Sequence, residues 1–362
     1  MNGNITRSVV SRVCASVALL LCAVTHAVAD EDRREGRDVL VLTSTNDGAA
    51  NSVVVFKLNT NGTPALSLVD FLPTGGAGGA GGNAGSLQFQ GNLGAVANYG
   101  SNSVTQLIRS DGYITVGRTL ALAPACNRPV SVALHADHLF AVGANCVESH
   151  RWPSGQVDGI VGIVDASAAQ VAAGQSWAAI TLKSGSVMQL PLTANGALSG
   201  TGVPVSLPAG ANDTPLGAAF WGDVLGFNPA HSADSLALVD RDRNVFPIPG
   251  PQPAFPNGNA PCWLAKGPGN LWYSGNTPAK AISIFFSDGR GGGFYKSVGL
   301  PGAPTDITVS RDGRWLAVIY AADDGSGPRV AVFAIDAYGD LALEATSAPV
   351  GAASFNGVAI SE

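Results

Sequence analysis

The amino-acid sequence predicts an all-β chain, a seven-bladed β-propeller of four-stranded antiparallel blades whose ring is closed by the C-terminal strand. Three observations predict it. Apolar residues alternate in short runs from Asp38 to the end, broken by Gly, Asn, Asp or Pro turns, which is the pattern of strands with one packed face. The runs group into units of about 40 to 45 residues, the blade period of propellers. The first unit lacks an innermost strand, and the last residues supply one.

The first 29 residues precede this pattern. Arg7 and Arg12 are followed by the apolar run 13–24 and then by Ala27, Val28 and Ala29, the charge, core and small-residue order of a secretory signal peptide. The apolar run is about a dozen residues, and a membrane-spanning helix requires about 20. Leu21 before Cys22 departs from the small residue that a lipoprotein signal carries. The expected organisation is a signal peptide over 1–29, a charged flexible start over 30–37 and one propeller over 38–362. The expected product is exported, to the periplasm or beyond the cell, with no membrane span, and is a monomer.

Composition narrows the partners. Charged residues are 13% of the chain, and Gly is 46 of 362, so neutral polar side chains and turns must build the surface. Removing Arg7 and Arg12 takes the formal net charge from −6 to −8. Nucleic acid is excluded as a partner, because phosphate backbones are bound through clustered Lys and Arg.

The clearest unit runs over 306–345: strand, Arg311-Asp312-Gly313 turn, strand, polar loop, strand, Tyr338-Gly339 turn, strand. Similar units begin at Cys262, Leu216, Val130 and Ser86, with a weaker copy from Trp177. The opening unit, 38–70, is completed by an inner strand over 355–362. Closure of this kind removes the exposed edges of an open sheet. The glycine-rich stretch 75–85 falls between the first two blades and reads as a loop. Its GxGxxG match lacks the preceding strand and following helix that a dinucleotide site requires.

Here the residues resemble the lactonase-like β-propeller family, which includes 6-phosphogluconolactonase-type proteins and fungal carboxymuconate lactonizing enzymes. The stretches that carry the resemblance are 75–85, 98–107, 129–142, 260–265 and 303–318, and exported bacterial members look most similar. The turns at Gln90-Gly91-Asn92, Ala136-Asp137 and Gly267-Pro268-Gly269 depart from the Ser-Pro-Asp-Gly form frequent in the family. The resemblance implies a propeller with a site on one face. The catalytic His, Glu and Arg of the lactonizing members find no aligned counterparts and are not carried over.

Cys126, Cys146 and Cys262 remain after signal removal. Cys126 precedes the inner strand of blade three, and Cys146 ends a loop of the same blade on the same face, so a disulfide is expected between them. It would stabilise the fold by about 3 kcal/mol in the chain-entropy model. Cys262, beside Trp263, reads as a buried small hydrophobe.

Beyond the expected signal peptide the histidines are His135, His138, His150 and His231. The first two flank a turn on the face opposite the expected ligand face. Glu148 and His150 share one side of a strand and read as a satisfied surface pair. No Gly-x-Ser-x-Gly elbow, His-Glu-x-x-His helix or phosphate loop is present, so no cofactor or metal is expected. Asp240-Arg241-Asp242-Arg243-Asn244 lacks the glycine and distal glutamate of a calcium loop and reads as a hairpin turn.

What remains is collective. The loops at one end of the axis carry Asn46, Asn98, Asn127, Asn212, Asp213 and Asn259 as candidate ligand contacts. Arg128 is expected to steady an oxyanion, with His231 or Asp306 as general base. Two readings stand: an enzyme opening or forming a small lactone, and a non-catalytic propeller presenting this rim to a small-molecule ligand or a protein. Asn and Asp are also frequent in turns for backbone reasons alone.

Overall fold

A computed structural model describes residues 38–60, 63–231, 235–251, 260–350 and 355–362. The expected signal peptide, the charged start and Asn259 lie outside them. The described residues form seven four-stranded antiparallel sheets, and neighbouring inner strands touch in sequence around one ring. The inner strands are Asn356–Ser361, Leu87–Gln90, Ser131–His135, Ala168–Ala173, Pro215–Trp221, Pro261–Lys266 and Gly302–Val309, for blades one to seven.

Closure follows the expected route. Val41 faces Ile360 and Leu42 faces Ala359 across the seam of blade one. Phe355, Val358 and Ile360 are buried with Val54 and Phe56 of blade one and Val330 and Val332 of blade seven. Burial of each large apolar side chain contributes about 1.5–3 kcal/mol, so the seam is held by packing as well as by its ladder. Arg109 of blade two donates from Nη1 to Ser361 O at 2.5 Å, adding a tie across blades.

The inner strand of blade four, Ala168–Ala173, carries the sequence Ala-Ala-Gln-Val-Ala-Ala. Small side chains suit the crowded axis, but they erase the apolar alternation, and the copy is therefore legible in sequence only from Trp177 onwards. Cys126 and Cys146 are disulfide-bonded, with a Cα–Cα distance of 4.8 Å. Cys262 is buried, and burial pushes its thiol above the ordinary range.

One expectation is corrected. Glu148 and His150 do pair, with Oε2 and Nε2 2.9 Å apart, but their side chains are 0% and 1% exposed. The pair lies inside blade three. Glu148 Oε1 also accepts the Ala123 N–H at 2.6 Å, so this carboxylate fixes the turn Pro124–Cys126 that delivers Cys126 to Cys146. The stretch 240–244 is a turn, as expected, closed by Asn244 N to Asp240 Oδ1 at 2.9 Å.

Candidate functional site

The expected ligand face is built by the loops that enter each inner strand and those that join second strands to third. The glycine-rich stretch between blades one and two is its central feature, and it does more than connect. Asn83, Ala84 and Ser86 are buried, at 0%, 1% and 4% exposure. The Ala84 N–H donates to Ala169 O of blade four at 3.4 Å. Gly85 O accepts from Val132 N of blade three at 2.9 Å, and Gly85 N donates to Asp306 Oδ2 of blade seven at 3.2 Å. A segment bonded at once to blades three, four and seven crosses the axis. Glycine is required where it enters: a Cβ at Gly78 would lie 2.4 Å from the Asn46 carbonyl carbon.

This loop engages several of the expected site residues. Asn46, with φ of 50°, accepts at Oδ1 from Gly79 N at 2.8 Å and Ala80 N at 3.0 Å. Its Nδ2 donates to Ala80 O at 2.6 Å. Asn98 is 0% exposed, accepts from Asn51 Nδ2 and Thr74 Oγ1, and donates to Ser103 and Thr105. Asn228 and Asn276 hold the equivalent places in blades five and six, donating to Ser235 O and Ser283 Oγ across the same turn. The asparagine richness of this face is in good part a repeated turn clasp.

Asp306 is 4% exposed. Burial pushes its carboxyl up to about 7, against the N–H groups of Ile307, Gly85 and Val358, which pull it down. The structure places it beneath the crossing loop. Asn127 is half-buried and Arg128 exposed. The Arg128 backbone, at φ 54°, donates its N–H to Asn102 Oδ1 at 2.8 Å.

The structure does bring together one group of chemistry-bearing side chains, where blades four and five meet. His231 is exposed, and its Nδ1 lies 2.9 Å from Thr214 Oγ1 and 3.8 Å from Asp213 Oδ1. Backbone bonds fix the two loops together, His231 N to Asp213 O at 3.3 Å and Ala230 N to Thr214 O at 3.0 Å. Nε2 is the ring nitrogen left for a ligand. Asn212 is exposed beside this pair. Its carbonyl oxygen packs against the adjoining turn of blade four so closely that a Cβ at Gly185 would approach it to 2.5 Å.

That turn carries Lys183, which sequence reasoning passed over. Its side chain is half-buried, and burial holds the amine below the ordinary lysine range. A Cβ on Gly82 of the crossing loop would lie 3.6 Å from Lys183 Nζ. The one sequence signal for it was a lysine at a tight Lys183-Ser184-Gly185 turn on the ligand face, in a chain poor in cations.

The cluster Cys126, Cys146 and Glu148, within 4.8 Å of one another, has its sulfurs joined in the disulfide and is not read as a metal centre. Among the described residues no helix is long and apolar enough to cross a membrane.

No family model matches the sequence, and no curated protein matches it. Solved structures do. A candidate 6-phosphogluconolactonase of Bacteroides fragilis is 12% identical, with a TM-score of 0.61 over 90% of this chain and 99% of that one. A second, from Bacteroides uniformis, is 14% identical, with a TM-score of 0.61 over 88% and 98% of the two chains. Virginiamycin B lyase of Staphylococcus aureus is 13% identical, with a TM-score of 0.53 over 77% and 94%. At such identities the likeness concerns the propeller fold.

Proposed function

We propose that this chain opens or forms a small cyclic ester on its loop face where blades four and five meet, with His231 as general base. The observation that carries the reading is the held imidazole. Thr214 and Asp213 engage Nδ1, which orients the ring and directs Nε2 outward. In the opening direction Nε2 takes a proton from water as the oxygen attacks the ester carbonyl. The ring C–O bond then breaks, and the proton passes to the leaving alkoxide, giving a hydroxycarboxylic acid. Arg128, on the loop that enters blade three, is the proposed cation for the developing oxyanion; Asp306, the other candidate base, is committed beneath the crossing loop to Gly85 N and takes no part in this reading. Asn127 and Asn212 are the proposed ligand contacts among the asparagines not committed to a turn clasp.

A phosphorylated sugar suits this face poorly because its cations are few. The disulfide supports an oxidising compartment, and we propose export with cleavage after Ala29, which N-terminal sequencing of the mature protein at Asp30 checks. The ligand-binding or protein-docking reading is favoured by one observation. Asn46, Asn98 and Asp306 hold the fold together at the centre of the face, so the axis itself offers little chemistry. A pH-stat assay of a panel of lactones separates the two. Turnover is expected for the wild type, with a loss of about 100-fold or more in His231→Ala, in line with general base catalysis. No turnover on any lactone, with retained ligand binding, selects the binding reading.

A further inference from the structure

Among the described residues Lys183 Nζ has no hydrogen-bond or ion-pair partner. Lys280 of the same face and Lys266 differ in this respect. Lys280 is paired with Asp323 at 2.8 Å, and Lys266, on the opposite face, donates to the Gly267 and Gly269 carbonyls at 2.7 Å each. An amine partly withdrawn from water carries a desolvation cost that no protein group offsets. An anion arriving there would remove that cost.

The position of the amine is specific. The Lys183 backbone N–H is tied to Ser167 O at 3.0 Å, and the turn closes through Gly185 N to Leu182 O at 3.0 Å. Gly185, at φ 102°, lets the turn press on Asn212, the residue before the Asp213 that engages His231. The crossing loop borders the amine at Gly82. The Lys183 turn thus abuts Asn212, and the loop that follows Asn212 holds Asp213 and Thr214 against His231, a strip across the blade boundary.

We propose that Lys183 is the anion anchor of this strip, and that its ligand is a small molecule bearing one carboxylate, such as the hydroxycarboxylate that results when a lactone opens. This deepens the reading of the same site and rests on it for the lactone, though not for the carboxylate. Lys183 is the cation of the strip itself, the Arg128 proposed for the oxyanion standing on the loop that enters blade three, and a single ammonium matches one negative charge. A phosphate, which carries more charge and is met by several donors, would lack the partners it needs.

The experiment titrates the protein with 4-hydroxybutyrate, acetate, inorganic phosphate and the neutral 1,4-butanediol, following the His231 imidazole by NMR and the heat of binding by calorimetry. Wild type is expected to bind 4-hydroxybutyrate more tightly than phosphate and to ignore the diol. Lys183→Met should weaken 4-hydroxybutyrate binding by about tenfold, the scale of one charge-assisted hydrogen bond. Lys183→Arg should retain most of it, which separates loss of charge from loss of fold; circular dichroism checks the fold of both. Unchanged binding in Lys183→Met, equal binding of the diol or of phosphate, or no binding of 4-hydroxybutyrate overturns the anchor. Carboxylate binding that depends on Lys183, without turnover of any lactone, upholds the anchor and overturns the catalytic reading alone.

Discussion

Blade three and the rim of blades four and five each set a histidine against a carboxylate, and the two pairs differ in their access to water. In blade three His150 and Glu148 meet at 2.9 Å with both side chains essentially unexposed. His138, equally buried, lies between Asp137 and Asp158 at 2.8 Å from each. At the rim His231 stands 3.8 Å from Asp213, with the two side chains 67% and 45% exposed. The same residue types therefore do different work. Buried, the pair is a structural tie, because separating it leaves a charge or a donor in a medium that cannot solvate it. Exposed, the pair contributes little to folding, and its imidazole remains available to a ligand.

The largest effect expected from this difference is on stability. Glu148→Ala strands His150 and the Ala123 N–H inside blade three and should cost about 3–5 kcal/mol, whereas Asp213→Ala should change stability by less than about 0.5 kcal/mol. Urea denaturation of the two variants reads both numbers, and equal costs would break the contrast. Next comes the staple beside the buried pair: replacing Cys126 and Cys146 with serine should lower stability by about 3 kcal/mol, again by denaturation. A cost no larger than that of a surface substitution would mean that packing alone sets this corner of blade three.

The smallest effect concerns Asp306, a third kind of carboxylate, buried and held only by backbone N–H groups. Its folded-state ionisation near 7 lies above the ordinary 3.8, so the folded form binds the proton more tightly than the unfolded chain. The stability from this group is fully present below the unfolded value and is lost as pH rises through about 7. One such group gives a slope of at most about 1.4 kcal/mol per pH unit. Thermal melts between pH 5 and 8 should show a flatter profile for Asp306→Asn than for wild type. Identical profiles would mean that the carboxylate stays ionised under the crossing loop. Glu362, pushed up to about 7 chiefly by burial and also by Asp312, adds its own slope in both proteins and cancels in the difference.

Of the candidate site, the sequence made His231 and its loop visible through residue type and register, but not the direction in which each polar side chain faces. Asn98 and Asn212 look alike in sequence. One is enclosed by Asn51, Thr74, Ser103 and Thr105, and the other is exposed. Lys183 gained significance only through its neighbours Gly82 and, by way of Gly185, Asn212, which lie far away in the chain or across a blade boundary.

What the amino-acid sequence by itself determined is the ring: strand alternation, blade period, the closing strand within 355–362, the disulfide pairing and the loop character of 75–85. These follow from local patterning, since a period of two assigns faces strand by strand and a repeat requires a common architecture. Tertiary structure alone decided that the loop at 83–86 crosses the axis, that Asp306 and the Glu148–His150 pair are shut away from water, and that Lys183 and His231 share one strip. Such outcomes depend on desolvation by residues distant in sequence, and desolvation is a property of the assembled fold that no local pattern encodes.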